Sequence, residues 1–336
     1  MIGDRDAAVW EAFEAIPPEL NPHAEAATRH LNRWVVEHRL IGRAVARERF
    51  DRANFGWFAA VTYPTADEAD LGLVADWFAW LFLLDDQLDD GLLGRDPDRA
   101  GELMGAIFNV LNGLGARPGA PSIVTSLDDL WARTVATASP GWRRRFVEHV
   151  VAGGMAACWE AENRVRGVVP DVPSYVENRR HTGAIYVCMD LIEIVEHIDV
   201  PPEVYGGEPF AEALDAACDV VCWVNDLYSL DKETSLGEYH NLVTVTQHAH
   251  RLSQAEAIDV VVGRIAHRLR EYLAWEPAAL AAGPAPVVAP YLAGMRSWMR
   301  GNLDWSATTR RYRDALRDNG NPAEYLEAVL VSREAA

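Results

Sequence analysis

The chain has 336 residues, 49% of them apolar, and carries 50 acidic against 31 basic side chains for a formal charge of −19. That length can bury a large core, while the acidic excess repels phosphate backbones and anionic lipid surfaces and disfavours nucleic acid as a partner. No apolar run is long enough to cross a bilayer, and the opening MIGDRDAAVWEAF has neither secretory nor transit character, so a cytoplasmic protein without stable membrane insertion is expected.

Along the chain, apolar residues recur at helical spacing and sustained period-two alternation is hard to find, which predicts an all-α fold. Helices are expected at about 22–38, 42–54, 66–90, 97–112, 121–138, 141–164, 172–197, 208–236, 253–275 and 287–318. The Pro- and Ala-rich stretch from Pro277 to Pro290 is expected to be an interhelical loop, and residues 1–20 and 319–336 to be flexible ends. Length alone allows about two domains. Without a repeat or a linker, residues 1–336 are expected to form one helical domain.

The helix expected from residue 66 is apolar on every side through Trp77-Phe78-Ala79-Trp80-Leu81-Phe82-Leu83-Leu84 and then meets Asp85-Asp86-Gln87-Leu88-Asp89-Asp90. A run that wide implies burial, and aspartates behind it need compensation. Asp85 with Asp89, and Asp86 with Asp90, form carboxylate rows on one helix face, roughly 5–6 Å apart at Cβ. Hard oxygen donors with no His or Cys nearby favour Mg²⁺. As residues alone, the pentad fits equally well a solvated last helix turn, although acidic groups there oppose the macrodipole.

The cysteines, Cys158, Cys188, Cys218 and Cys222, lie in apolar surroundings and suit reduced core thiols, without the spacing of a zinc site. Just beyond them, Asn225, Ser229 and Glu233 stand four residues apart, which stacks an amide oxygen, a hydroxyl and a carboxylate along one helix stripe. Such a column can chelate one hard ion, or can be the polar face of an ordinary amphipathic helix. Against the latter, Asn and Ser are poor helix formers behind a buried run.

Together the two motifs resemble those of bacterial single-domain class I terpene synthases. Asp85-Asp86-Gln87-Leu88-Asp89 is similar to the family's DDxxD motif, and Asn225 to Glu233 to its ND(L/I/V)xSxxxE pattern. Arg311-Tyr312 resembles the family's RY pair. Arg179-Arg180-His181-Thr182-Gly183 resembles the diphosphate-sensing segment, with Arg179 as sensor, Thr182 as linker and Gly183 as effector; Thr182 departs from the aspartate some members carry.

The resemblance implies a helical bundle around a deep apolar pocket, with three Mg²⁺ ions held by Asp85 on one side and Asn225, Ser229 and Glu233 on the other. Asp86 and Asp89 would tune or orient. Arg179, Lys232, Arg311 and Tyr312 would grip the leaving diphosphate, and Phe58, Phe82 and Trp305 would line the pocket, where aromatic faces favour a cation. The implied substrate is an isoprenoid diphosphate, farnesyl diphosphate by default, cyclised to a sesquiterpene hydrocarbon or alcohol, and a homodimer is compatible with the family.

Two other readings stay open at this stage. A prenyl-chain elongating transferase shares the fold and the metal chemistry, but resembles a pattern with two aspartate-rich motifs, and the Asn/Ser/Glu second site favours cyclisation. A non-catalytic helical scaffold would keep the motifs without turnover. A di-iron carboxylate bundle needs Glu-x-x-His pairs, and no histidine has a glutamate three residues before it.

Overall fold

The computed structural model describes residues 3–89, 93, 96–313, 326–327 and 330–331, and among these every regular element is a helix. Most expected helices are present within a few residues, among them Ala24–Glu37, Glu68–Asp89, Pro140–Arg166 and Glu208–Ser235. The expectations at 314–318 and over most of 319–336 lie outside the described residues.

Several boundaries differ, for identifiable reasons. The helix expected at 172–197 is two, Val172–Thr182 and Ile185–Val195, broken where Ala184 adopts a left-handed backbone at φ 53°. The stretch expected as a loop from Pro277 to Pro290 is mostly helical: Gln254–Ala281 runs through Pro277, and Ala285–Thr308 includes Pro290. A proline deletes one backbone donor, and burial of Ala279 and Val288 keeps both helices running past that loss. Gly3–Ala12, Phe55–Thr62, Pro202–Tyr205 and Leu242–His250 were not expected. The last is rich in β-branched residues that weaken helix propensity.

The described residues divide into two compact units, each assembled from three stretches of chain. One gathers Met1–Asn21, Val61–Thr65 and Val169–Thr308; the other gathers Pro22–Ala60, Ala66–Val168 and Thr309–Ala336.

In the first unit, helix Glu208–Ser235 packs against Gln254–Ala281, Ala285–Thr308, Val172–Thr182 and Leu242–His250. Its middle, Ala216 to Val224, is buried on every side, which explains why its sequence is apolar apart from the ion-paired Asp219. Asn302 Nδ2 donates to Val221 O at 3.0 Å, tying Ala285–Thr308 to the turn just ahead of Asn225. One turn of that helix also passes so close to residue 61 that only glycine fits at position 301: a Cβ there would meet Val61 O at 2.6 Å.

In the second unit, helix Glu68–Asp89 starts with Asp67 Oδ1 accepting from Asp70 N at 2.8 Å and packs on Ala24–Glu37 and Ser122–Thr134. Trp77 Nε1 donates to Thr134 Oγ1 at 2.9 Å and Trp80 Nε1 to Ile123 O at 2.7 Å, so both indoles are buried without losing their polar partners. Asp76, fully buried, accepts from Arg133 at 2.9 Å and lies 2.8 Å from His30 Nε2. No helix among the described residues is long and apolar enough to cross a membrane.

Gly301→Ala gains about 1 kcal/mol of helix propensity but must push backbone, and overpacking against rigid atoms costs about 1–3 kcal/mol. We expect a net loss of stability, read as a lower urea midpoint at unchanged slope; an equal or higher midpoint would mean that the two segments separate freely.

Candidate active site

The aspartate-rich motif occupies the last turn of Glu68–Asp89, where a buried helix reaches solvent. The Asp85 side chain is 43% exposed and Asp86 13%. Arg311 grips Asp86 with both terminal nitrogens, Nη1 to Oδ2 at 3.0 Å and Nη2 to Oδ1 at 2.6 Å, while Nη2 stays 3.9 Å from Asp85 Oδ2. Its guanidinium carbon lies 5.1 Å from the centre of the Phe82 ring. Burial alone would lower the proton affinity of Arg311; Asp86 raises it well above its ordinary value, so the cation persists. The neighbouring Tyr312 is buried.

Gln87 turns the other way. It is buried and donates to Glu327 O at 3.3 Å, while the Glu327 carboxylate accepts from Gly42 N at 2.9 Å and Arg43 N at 2.6 Å, satisfying free donors ahead of helix Ala44–Ala53. Asp89 ends the described helix; its side chain and the whole of Asp90 lie outside the described residues. Phe58 is buried, 4.8 Å from the Phe78 ring and 6.2 Å from that of Phe82.

In the first unit, Asn225, Ser229 and Glu233 do share one helix, Glu208–Ser235. Ser229 Oγ donates to Asn225 O at 2.8 Å, which leaves its lone pairs available. Glu233 Oε2 accepts from Asn241 Nδ2 at 2.8 Å. Burial and the charge of Asp226 push the Glu233 carboxyl up to about 7 against the pull of Arg179, Asn241 and Ser229. Lys232, next to it, is buried.

Behind this stripe stands Asp226, wholly buried. Its Oδ1 accepts from Arg179 Nε at 2.8 Å; its Oδ2 accepts from Tyr175 OH at 2.7 Å and Leu242 N at 2.9 Å. The same guanidinium donates Nη2 to Asn225 Oδ1 at 2.9 Å. Burial works against the Arg179 charge, and Asp226 more than restores it. Arg180 faces away: it grips Asp219 with two nitrogens at 2.6 and 2.8 Å and Asp215 at 2.5 Å, and Arg268 joins it on Asp219 at 2.8 Å.

Thr182 and Gly183 form the helix break. Gly183 N donates to Arg179 O at 3.0 Å, Thr182 Oγ1 approaches the same carbonyl at 3.5 Å, and Cys222 Sγ donates to it at 3.4 Å. Burial pushes the Cys222 thiol up to about 12. Trp305 is buried in this unit.

Asp85, Asp86, Phe58, Phe82, Arg311 and Tyr312 therefore belong to one unit, and Arg179, Thr182, Gly183, Asn225, Ser229, Lys232, Glu233 and Trp305 to the other. Within each unit, a row of oxygen donors is backed by one arginine, Arg311 buried and Arg179 half-buried. Sequence reasoning had assigned no part to Asp226, Tyr175 or Asn241. The signal for Asp226 was a carboxylate embedded in a buried run; the other two are separated from the stripe by loops.

The family model "Terpene synthase family 2, C-terminal metal binding" matches residues 76–271, a stretch that includes both oxygen-rich rows. The (−)-δ-cadinene synthase of Streptomyces clavuligerus is 34% identical over 94% of this chain and 97% of its own. A (+)-T-muurolol synthase of Roseiflexus castenholzii is also 34% identical, over 87% of this chain and 90% of its own. The chain belongs to the terpene synthase family. Among solved structures, the linalool/nerolidol synthase of Streptomyces clavuligerus superposes with a TM-score of 0.79 at 27% identity, covering 86% of this chain and 98% of that one.

The all-α class I fold and the enzyme class inferred from the motifs are thus those of this synthase, and the matched region binds a divalent metal. The residues present suit one: carboxylate, amide and hydroxyl oxygens without a thiolate or imidazole among them, the donor chemistry of a hard cation.

Gly183→Ala places a Cβ 2.9 Å from Arg179 Nη1, 3.1 Å from Arg179 O and 3.3 Å from Cys222 Sγ. Gly183 has an ordinary helical φ of −71°, so the backbone accepts alanine and the guanidinium must move. We expect turnover to fall about 10²-fold with the helical circular-dichroism signal retained; full turnover would show that the position of Arg179 is unimportant.

Proposed function

We propose that this synthase ionises farnesyl diphosphate and guides the resulting allylic cation to a cyclic sesquiterpene. The observation that carries the reading is that each oxygen-rich row is paired with a permanently charged arginine largely shielded from solvent: Arg311 on Asp86 and Arg179 on Asn225 and Asp226. Substrate size is supported by the relatives, since the T-muurolol and 4-epi-cubebol synthases are both described as cyclising (2E,6E)-farnesyl diphosphate.

In this reading Asp85 on one row and Asn225, Ser229 and Glu233 on the other hold three Mg²⁺ ions, while Asp86 and Asp89 orient. The metal supplies Lewis-acid stabilisation of the charge that develops on the departing diphosphate. Arg179, Lys232, Arg311 and Tyr312 bind the same group by charge-assisted hydrogen bonds, and their contribution grows as the carbon–oxygen bond breaks and negative charge collects on its oxygens. Thr182 and Gly183 transmit the placement of Arg179 to the helix break, and closure excludes water that would quench the cation. Phe58, Phe82 and Trp305 offer π faces without a nucleophilic atom, each worth about 0.5–2 kcal/mol to a desolvated cation. Residues 1–336 form one class I terpene synthase domain in this reading.

Incubation of the purified protein with Mg²⁺ and geranyl, farnesyl or geranylgeranyl diphosphate, followed by gas chromatography with mass detection, tests the substrate directly. A cyclic C15 product from the farnesyl ester is expected, with release of inorganic pyrophosphate. Turnover that requires added isopentenyl diphosphate would replace cyclisation by chain elongation. Asp85→Asn is expected to lower kcat about 10²-fold or more, as removal of one charge-stabilising group commonly does; wild-type kcat in that variant would remove Asp85 from the mechanism.

A further inference from the structure

Asn241 sits in the bend between Glu208–Ser235 and Leu242–His250 and is fully buried. Every polar atom of its amide is engaged. Oδ1 accepts from Val243 N at 2.9 Å and so caps Leu242–His250. Nδ2 donates twice, to Asp226 O at 2.7 Å and to Glu233 Oε2 at 2.8 Å. The orientation is chemically forced, because a flipped amide would set its oxygen against a carbonyl and a carboxylate and its nitrogen against a backbone donor.

The three contacts have different origins. One belongs to a helix start, one to the backbone of the buried Asp226, and one to a candidate ligand carboxylate half a turn short of the helix end. A carboxylate free to rotate about its own side chain presents its oxygens in many directions, and each must be refused before a cation can be held. A donor on Oε2 from a side chain that is itself pinned at two other points removes that freedom and leaves Oε1 as the oxygen that Asn241 does not hold. Ligand-orienting groups of this kind typically alter metal affinity 10–100-fold when removed.

We propose that Asn241 is a positioning residue of the second metal row, setting the Glu233 carboxylate and locking helix Leu242–His250 to the same stripe. The proposal rests on the reading of Glu233 as a metal ligand. It also gives the short helix a part in catalysis without any atom of that helix reaching the substrate: the Leu242 N to Asp226 Oδ2 bond and the Asn241 amide hold Asp226 and Glu233 from one chain reversal.

Asn241→Ser keeps an oxygen for the helix cap and removes both amide donations. Its test is the Mg²⁺ concentration giving half-maximal thermal stabilisation in the presence of inorganic pyrophosphate, a readout independent of turnover. We expect that concentration to rise about tenfold or more over wild type, to be matched by the Mg²⁺ dependence of turnover, and to leave kcat at saturating Mg²⁺ far less affected. In a Glu233→Ala background the same substitution should change the half-saturation by less than about twofold, as for a pair that acts through one contact. If Asn241→Ser misfolds, Asn241→Asp retains shape and cap while exchanging both donors for a carboxylate oxygen. Half-saturation equal to or tighter than wild type in the folded variant, with the wild-type response intact, overturns the proposal alone. A wild-type protein that gains no stability from Mg²⁺ and pyrophosphate overturns the metal reading of Glu233 and the proposal with it.

Discussion

A carboxylate with no access to water must find its compensation inside the protein, and Asp226 is the group around which the first unit's Asn225–Glu233 stripe is built. An isolated buried charge costs far more than any single packing contact contributes. Its partners are therefore not interchangeable: a guanidinium and a phenol from Val172–Thr182 and the backbone donor that starts Leu242–His250 satisfy it together, and two helices are drawn in. Tyr175 serves because burial and the Asp226 charge raise its proton affinity, which keeps the phenol a donor. The arginine that neutralises Asp226 is thereby held beside Asn225. Folding and the placement of a cation beside the Asn225 stripe are one constraint rather than two.

The second unit solves a related problem in a more open setting. Asp86 is bound by Arg311 through two parallel hydrogen bonds, and Asp85, one residue earlier, keeps a largely accessible carboxylate. Adjacent residues on a helix point about 100° apart, so one can be committed to an internal partner while the other faces outward. Gln87 extends the division by holding the chain at Glu327. A short acidic motif thus contains one exposed group, one ion-paired group and one structural amide, although the first two are chemically identical.

Much of this was legible in the residues and some was not, and the difference has physical causes. The end of Glu68–Asp89 could be read because a broad apolar run stops abruptly at charges, and the Asn225, Ser229, Glu233 stripe because helical periodicity maps spacing onto a face. Asp226 could not, since its partners lie 16, 47 and 51 residues away and only folding selects them. The break in 172–197 escaped notice because the positive φ falls on Ala184, whereas Gly183 beside it is helical. Pro277 and Pro290 misled in the opposite sense: a local breaker was overridden by burial on either side. Asn241 carried a helix-cap signature, but its second use depends on a carboxylate eight positions back in the chain.

The Cys222 sulfur lies against the Arg179 carbonyl. Cys222 donates to Arg179 O, and its proton is retained to a pH far above neutrality. Allylic electrophiles alkylate thiolates readily and protonated thiols poorly, because the anion is the reactive species. Burial at the helix break thus keeps this sulfur in its less nucleophilic, protonated form.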